Sequence, residues 1–449
     1  MVWEQESLII VMLANVMEGG KAKCAKYWPE VGKSCTYGGY NVETVEEKNY
    51  GFYILRSIHM EESGNEYASV LRKIQHFQYI RWPDHGVPLI TSSLIRMHNK
   101  VIADYEDLVK DKAFPIIVHC SAGAGRTGAY IGFDILRDEM QSLKQVNVYR
   151  AVLNMRKQRM DMVQNMKQYV LLHKLLSECH ALGSTTFKPN ELNKRIAQHT
   201  VLLKEFDNLN LILPMTTSQK IALQHSNKPV NKDVNILPYA PYLNASFISE
   251  YMVNESTIVA QDPLPINVDV FWRAVVDNNV NIIVMLSQPG NGETQDTCLP
   301  YYPQENGSNE NYGEISVTQM EECTEQGYVQ RKLQVVYGEE NVCHYGNYNS
   351  LAHWLYLRII LEIQKNTNNE IIKSVVCSLN FSDGAGRSGV FCTLNNLIQR
   401  LRAEDEIDVF RTVKDLRDMR PQMVRSFDNY MTCYKGLAEF RSSFDTYAN

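Results

Sequence analysis

The sequence lacks closely spaced cysteine pairs, a large excess of charge and any apolar run long enough to cross a membrane. Its ten cysteines include no C-x-x-C pair and no cysteine-histidine cluster at zinc spacing, so neither a metal site nor a disulfide framework is predicted. The net charge of -6, with scattered basic residues, gives no basis for nucleic-acid binding. The most apolar stretch, residues 8–14, is too short to span a bilayer and has no signal-peptide layout. We therefore expect a chain without metal or cofactor that neither binds nucleic acid nor inserts into a membrane.

What the sequence does contain is a short segment, VHCSAGAGRTG at 118–128, in which a cysteine and an arginine are separated by five small residues. Apolar residues 116–118 predict a buried strand before it, and helical periodicity begins after Thr127. Backbone N–H groups at a helix N-terminus bind phosphate and lower the pKa of a thiol, here Cys120. Arg126 adds a planar fork that pairs two phosphoryl oxygens. The segment predicts a phosphate cradle with a built-in nucleophile.

The same letters allow a rival interpretation, because residues 123–128 also spell the G-x-G-x-x-G pattern of dinucleotide-binding folds. That fold needs a second parallel strand ending in an acidic residue about twenty positions later. Residues 146–160 instead have the periodicity of an amphipathic helix. Nucleotide binding would also leave Cys120 and Arg126 without a task, which disfavours it.

The chain of 449 residues is long enough for two domains, and it contains an internal duplication. Four matches occur in the same order in both halves: residues 2–13 with 275–286, Cys24–Pro29 with Cys298–Pro303, 123–128 with 384–389, and Met162–Val163 with Met423–Val424. Polar residues near 183–186 predict the boundary, which gives domains at 1–183 and 184–449.

Together with RWPDHGVP at 81–88 and MVQNMKQY at 162–169, the cradle resembles the classical protein tyrosine phosphatases. The tandem arrangement resembles the cytoplasmic half of a receptor-type tyrosine phosphatase, and the SAGAG sequence that of its adhesion-type (MAM-domain) branch. The resemblance implies two α/β domains, each a twisted mixed sheet flanked by helices, with the cradle at the carboxyl end of a central strand. It also implies a cytoplasmic location, with the parent protein in the plasma membrane as a single-pass receptor.

The resemblance further implies hydrolysis of phosphotyrosine on proteins through a phosphocysteine at Cys120. Asp84 would protonate the leaving phenolate and then act as the base, while Gln164 would orient the attacking water. The residues expected to contact the substrate are Ser121, Ala122, Gly123, Ala124, Gly125, Arg126, Asp84 and Gln164.

Five further residues match supporting positions of the family. His119 and Thr127 resemble residues that tune the thiolate, and Trp82 belongs to the W-P-D segment. Glu18 matches a glutamate that orients the cradle arginine, with a solvated turn carboxylate as the alternative. Arg159 fits an arginine that supports the closing W-P-D loop, with an exposed helix cation as the alternative.

The second copy departs from the pattern at each chemical position. At the same interval before Arg387 stands Phe381 instead of cysteine, and no aspartate occurs between 327 and 383 to serve as the acid. Arg425 replaces the glutamine, and Asp233 replaces the phosphotyrosine-stacking tyrosine. The second domain is therefore predicted to be a pseudophosphatase with a regulatory role, through contacts with the first domain or in a dimer.

The two copies also differ in extent, because Met1 aligns with Ala274 and about ninety residues before Phe271 have no counterpart in the first copy. We expect a first domain without its N-terminal part. This leaves an alternative function open, in which the chain is catalytically silent and acts as a binding or scaffold module.

Overall fold

The computed structural model describes residues 1–63, 70–83, 86–109, 113–183, 185–209, 243–252, 257–290, 297–325, 328–338, 340–349, 375–378 and 384–447. The chain divides into two compact units, residues 1–184 and 185–449. The division falls inside the polar stretch 183–186 where the sequence predicts the boundary.

Unit 1 is built on a six-stranded sheet in the order β4-β5-β6-β7-β1-β8. Strands β4 to β7 form an antiparallel meander, and the fully buried β1 pairs in parallel with both β7 and β8. The bounds are β1 Ile9–Met12, β4 Ser34–Tyr37, β5 Tyr40–Asn49, β6 Tyr53–Glu62, β7 Arg72–Tyr79 and β8 Ile117–His119; a small hairpin is formed by β2 Met17–Glu18 and β3 Lys21–Ala22.

Strand β8, which leads into the cradle, is an edge strand of this sheet. Among the described residues of unit 1 it pairs only with β1, through Ile10 opposite Ile117 and Met12 opposite His119. The expectation of a central strand is therefore wrong for unit 1. In unit 2 the equivalent strand lies between two neighbours, because two further strands extend that sheet.

The helices of unit 1 are α1 Thr91–Leu108, α2 Gly125–Leu143, α3 Val148–Gln158 and α4 Met166–Leu182. Helix α2 packs against α3 and α4, and α1 packs against α4. The N-cap residues Asn147 and Asn165 accept hydrogen bonds from backbone amides of the first turns of α3 and α4. Because α3 occupies the place where a dinucleotide-binding fold would have its second strand, the rival interpretation of the glycines does not hold.

Unit 2 has an eight-stranded sheet in the order β14-β15-β16-β17-β11-β18-β10-β9. Strand β18, which precedes the second cradle, pairs in parallel with both β11 and β10. The bounds are β9 Ala245–Ile248, β10 Thr257–Ala260, β11 Ile282–Met285, β14 Asn309–Tyr312, β15 Ile315–Glu325, β16 Tyr328–Tyr337, β17 Glu340–Asn349 and β18 Val375–Ser378; β12 Gln288–Pro289 and β13 Thr297–Cys298 form a separate pair.

The helices of unit 2 are α5 Leu192–Ala197, α6 His199–Leu209, α7 Val268–Asp277, α8 Gly386–Glu404, α9 Val409–Met419 and α10 Phe427–Tyr447, after a 3-10 turn at Pro189–Glu191. Helices α8, α9 and α10 repeat the arrangement of α2, α3 and α4. The N-cap of α9, Asp408, also accepts hydrogen bonds from the hydroxyls of Thr185 and Thr186 and so binds the first residues of the unit. Both units therefore have the predicted α/β architecture of a twisted mixed sheet flanked by helices.

None of the helices in the described ranges combines the length and apolarity that a bilayer-spanning helix needs.

Candidate active site

The cradle connects β8 to α2 and encloses the thiol of Cys120. This side chain is buried, and its sulfur accepts a hydrogen bond from the backbone amide of Gly123 over 3.3 Å. Gly123 has a φ of +66°, a left-handed conformation that favours glycine and lets the loop turn back over the sulfur. Ser121 and Ala122 are exposed at the mouth, and Ala124 and Gly125 are buried at the start of α2.

The surroundings of Cys120 favour the thiolate. Burial raises the pKa of the Cys120 thiol, but hydrogen bonds from the hydroxyl and amide of Thr127 and from the amides of Gly123 and Ala124 outweigh it, so the pKa lies below the ordinary value. The Thr127 hydroxyl is buried and has no other hydrogen-bond partner in the described part of the chain. A thiolate at this position is a ready nucleophile near neutral pH.

Arg126 points its guanidinium fork along a fixed direction because Glu18 holds it. Its Nη1 and Nη2 atoms donate to the two carboxylate oxygens of Glu18 over 2.6 and 2.7 Å, and Nη1 also donates to the Leu13 carbonyl over 3.1 Å. Glu18 is itself buried and accepts from the amide of Asn15. Of the two interpretations of Glu18, the structure therefore favours the partner of the cradle arginine over the solvated turn carboxylate.

Gln164 lies against the cradle at Gly125. A methyl group built on Gly125 would stand 2.6 Å from Gln164 Oε1 and 2.8 Å from Gln168 Nε2, so only glycine allows this approach. Gln168 also accepts from the Gln164 amide over 2.8 Å and so fixes the turn that carries it. Gln168 is a supporting residue that the sequence analysis did not single out.

The W-P-D segment reaches the cradle through its backbone. Trp82 is buried and donates from Nε1 to the Gly86 carbonyl, and the Pro83 carbonyl accepts from Arg126 Nη2 over 3.3 Å. The next residue, Asp84, lies outside the described residues, so its assignment as the acid stays a prediction.

Arg159 contacts the cradle itself. Its Nε donates to the Gly123 carbonyl over 2.7 Å and its Nη2 to the Ala122 carbonyl over 3.2 Å. These bonds turn the loop carbonyls outward and leave the loop amides free to face the sulfur. The predicted support of the W-P-D loop by Arg159 stays a prediction.

Behind the cradle, His119 is held by Tyr27, which in turn contacts His76, and neither of these two residues was predicted from the sequence to belong to the site. Its Nε2 is 2.6 Å from the hydroxyl of Tyr27, and that hydroxyl is 2.8 Å from Nε2 of His76. A signal was present in the duplication for Tyr27, which has an exact counterpart in Tyr301, and for His119, which corresponds to Asn380 directly before the position where the nucleophile is lost.

A turn after α3 closes on the base of the cradle and is repeated in unit 2. The amides of Val163 and Val424 donate to the carbonyls of Ala124 and Ala385 over 3.3 and 3.1 Å. Both valines have positive φ, 60° and 56°, although each is β-branched and buried. In its described residues, unit 2 therefore keeps the turn that closes on the start of the helix.

The described part of the second site keeps the arginine of the first site but differs in the side chains around it. Arg387 donates from Nη1 to the Leu286 carbonyl over 3.0 Å, as Arg126 does to Leu13. Arg425 is exposed, and the side-chain atom that a methyl group on Gly386 would approach belongs to Asn429, at 3.1 Å. Phe381 and Asp233 lie outside the described residues.

Comparison with known proteins is consistent with this geometry. The sequence profile of the family described as protein-tyrosine phosphatase matches residues 1–178 and 218–439. Mouse receptor-type tyrosine-protein phosphatase F is 32% identical over 482 residues, covering 100% of this chain and 25% of that protein. Chicken receptor-type tyrosine-protein phosphatase S is 31% identical over 482 residues, covering 100% of this chain and 31% of that protein.

Mouse receptor-type tyrosine-protein phosphatase alpha is 31% identical over 484 residues, covering 100% of this chain and 57% of that protein. The chain thus spans between about a quarter and somewhat over half of the length of these relatives. The chain belongs to the protein-tyrosine phosphatase family, with one match to the family in each unit. Its assignment to the adhesion-type branch stays a prediction.

Proposed function

We propose that this member of the protein-tyrosine phosphatase family hydrolyses phosphotyrosine on proteins in unit 1, through a phosphocysteine at Cys120. The observation that carries the proposal is the buried thiol that accepts the Gly123 amide, beside an arginine fork fixed by Glu18. Transfer of a phosphoryl group needs a nucleophile and positive groups around the phosphoryl oxygens, and this arrangement offers both.

In the first step, the Cys120 sulfur attacks phosphorus while the bond from phosphorus to the phenolic oxygen breaks. The amides of residues 121–126 and the Arg126 fork bind the phosphoryl oxygens, and Asp84 gives its proton to the leaving phenolate. In the second step, water attacks the phosphocysteine, Asp84 takes a proton from the water, and the Cys120 thiolate leaves. The position of Gln164 against Gly125 supports a role in orienting that water.

We propose that unit 2 is a pseudophosphatase. Phe381 has no nucleophilic atom, and Arg425 offers no amide oxygen to accept a hydrogen bond from water. The retained bond of Arg387 to the Leu286 carbonyl supports a structural role for this site. We further propose that unit 2 regulates the first domain, through inter-domain or dimer contacts.

We also propose, from the receptor-type relatives, that the chain works on the cytoplasmic side of a plasma-membrane receptor. Phosphotyrosine-containing proteins near that membrane would be its substrates. Fractionation of cells that express the parent protein, followed by protease protection of this region, tests that location.

The activity is tested with the full chain and a phosphotyrosine peptide. Cys120→Ser should lower the rate of phosphate release by roughly 10³-fold or more, because the nucleophile is removed. The matched control Cys35→Ser changes an exposed thiol in β4 and should leave the rate unchanged. Phosphate release that survives Cys120→Ser would overturn the proposal, and peptide binding without any turnover by the unaltered chain would favour the scaffold alternative.

The intermediate is tested separately by acid quench during turnover. Peptide labelled in its phosphoryl group should leave label on Cys120, and the label should be absent from Cys120→Ser. Label on a histidine instead would contradict the phosphocysteine.

A further inference from the structure

Behind the cradle, a continuous line of hydrogen bonds joins the Cys120 backbone to the interior of the sheet. Its members are Arg56, His76, Tyr27 and His119. Arg56 Nη1 is 3.3 Å from His76 Nδ1, His76 Nε2 is 2.8 Å from the Tyr27 hydroxyl, that hydroxyl is 2.6 Å from His119 Nε2, and His119 Nδ1 is 3.1 Å from the Cys120 carbonyl. We call this line the histidine relay.

The two ends of the relay fix the direction of every hydrogen bond in it. A guanidinium only donates, so His76 Nδ1 accepts from Arg56 and His76 carries its proton on Nε2. A carbonyl only accepts, so His119 donates from Nδ1 to the Cys120 carbonyl. Tyr27 then accepts from His76 and donates to His119 Nε2, which is the arrangement that satisfies both neighbours.

The inner end of the relay is rigid. Arg56 is buried, and it donates to Glu47 over 2.6 Å and to Gln78 over 2.9 Å while lying over the ring of Trp28. His76, on β7, is fully buried and is faced by Arg56 from β6, by Tyr27 and Trp28 from the segment before β4, and by His119 from β8. Burial, together with Arg56 and His119, lowers the pKa of His76 well below its ordinary value. Tyr27, the other titratable group that faces it, is uncharged near neutral pH, so His76 stays neutral there.

The second copy supplies an internal comparison. Tyr27 has its counterpart in Tyr301, and the pair of Arg56 with Glu47 has its counterpart in Arg331 with Glu322, at 2.7 Å. The inner anchor is therefore part of the shared fold.

The two histidines, by contrast, are present in the copy that has the cysteine nucleophile and absent from the copy that lacks it. In the sheet registers, His76 lies opposite Ile10 of β1, and Asn347 lies opposite Ile283 of β11, the residue that matches Ile10. His119 corresponds in sequence to Asn380, which directly precedes Phe381. Both histidines are thus replaced in the copy that has no cysteine at this position, while the tyrosine and the arginine remain.

We propose that His76 is a positioning residue for the Cys120 nucleophile, acting through Tyr27 and His119 on the backbone at the start of the cradle. By orienting the Tyr27 hydroxyl, His76 makes His119 hold the Cys120 carbonyl away from the sulfur. The loop amides then converge on the sulfur and stabilise the thiolate. The inference rests on the proposed function only in calling Cys120 the nucleophile.

The test uses the full chain and measures the rate of Cys120 alkylation by iodoacetamide against pH, which reports the thiolate fraction without any phosphatase assay. Tyr27→Phe removes one hydroxyl and keeps the ring, and His76→Leu removes the relay donor. Each should raise the apparent pKa of Cys120 by roughly half to one unit, so alkylation well below that pKa slows about three- to tenfold. His76→Gln can still accept from Arg56 and donate to Tyr27, and it should restore the parental profile.

A matched control separates positioning from packing. Ile74→Val alters a buried residue two positions earlier on the same strand and should lower the thermal midpoint without moving the pKa of Cys120. The double variant His76→Leu with Tyr27→Phe should shift the pKa no further than either single change, because both act in one line.

An unchanged pKa in His76→Leu, or an equal shift in Ile74→Val, would overturn the relay. If His76→Leu does not fold, His76→Gln and Tyr27→Phe provide the test. A pKa shift of Cys120 in His76→Gln as large as that in Tyr27→Phe would also overturn the relay. Failure of the proposed function has a different signature, namely phosphate release that survives Cys120→Ser while the alkylation profiles still follow the relay variants.

Discussion

Arg126 in unit 1 and Arg387 in unit 2 donate to the carbonyls of Leu13 and Leu286 over 3.1 and 3.0 Å. The residues near the two arginines differ. Unit 1 has Cys120 and Gln164, whereas unit 2 has Phe381 and Arg425 at the corresponding sequence positions. The comparison teaches that, in the described residues, the arginine and the turn that closes on the start of the following helix are part of the fold. A matching glycine-arginine loop does not by itself indicate chemistry.

The largest expected difference between the units concerns the two arginines. Arg126→Lys replaces a planar fork with a point charge that cannot pair two phosphoryl oxygens or both oxygens of Glu18. Phosphate release from a phosphotyrosine peptide should fall by about 10²- to 10³-fold, the scale of losing a preorganised anion-binding group. Arg387→Lys should leave the rate unchanged, and an equal loss there would give unit 2 a part in catalysis.

The next prediction concerns what the two units share. A methyl group on Gly128 would stand 2.5 Å from the amide nitrogen of Val163, and one on Gly389 would stand 2.1 Å from that of Val424. Backbone cannot yield as a side chain can, so Gly128→Ala and Gly389→Ala should each cost about 1–3 kcal/mol of unfolding free energy. Urea denaturation of the full chain measures both. A cost in only one unit would contradict a common frame.

A smaller effect should separate the units again. The methyl group in Gly125→Ala meets the ends of the Gln164 and Gln168 side chains, which can swing away. We expect little loss of stability but about tenfold slower hydrolysis of the phosphocysteine, at the low end of what a positioning group contributes. Acid quench should then show more labelled Cys120 at steady state. Gly386→Ala, the matched change in unit 2, should alter neither quantity.

The smallest expected effect depends on pH. Burial, with Arg56 and His119 nearby, lowers the pKa of His76 well below its ordinary value. The unfolded chain takes up a proton at this histidine below about pH 6.5 and the folded chain does not, so the stability of unit 1 is full above that pH and falls below it. His76→Gln removes this group that is protonated only in the unfolded chain. Near pH 5.5 the free energy of unfolding of the variant should therefore be about 1 kcal/mol higher, relative to that of the parent, than it is at pH 7.5.

Denaturation at pH 7.5 and 5.5 measures this effect. Unit 2, with Asn347 at the equivalent register position, should show no change in its transition on His76→Gln. If the free energy of unfolding fell equally between pH 7.5 and 5.5 in the parent and in His76→Gln, the predicted loss of stability through His76 would be contradicted.

Sequence alone could predict the parts of the site that are contiguous in the chain. The strand before Cys120, the helix after it and the helix over 146–160 all follow from local periodicity, and the duplication follows from matching segments. The partners of Arg159 and the relay through Tyr27 and His76 could not be predicted this way. They depend on side chains from separate strands that meet only after folding, and a buried polar residue looks like any other strand residue in a sequence.

Val163 and Val424, which adopt the left-handed backbone conformation in the two units, have a practical consequence for engineering. A β-branched residue at positive φ costs on the order of 1–2 kcal/mol, against the roughly 5–15 kcal/mol that typically holds a domain folded. Directed evolution for thermal tolerance therefore has an obvious starting position, and Val424 is the safer of the two because no proposed step depends on it. Val424 is fully buried, so a useful replacement must fill the same volume while accepting a φ near 56°. Asparagine, which tolerates that conformation better than valine, is a natural first candidate for such a library.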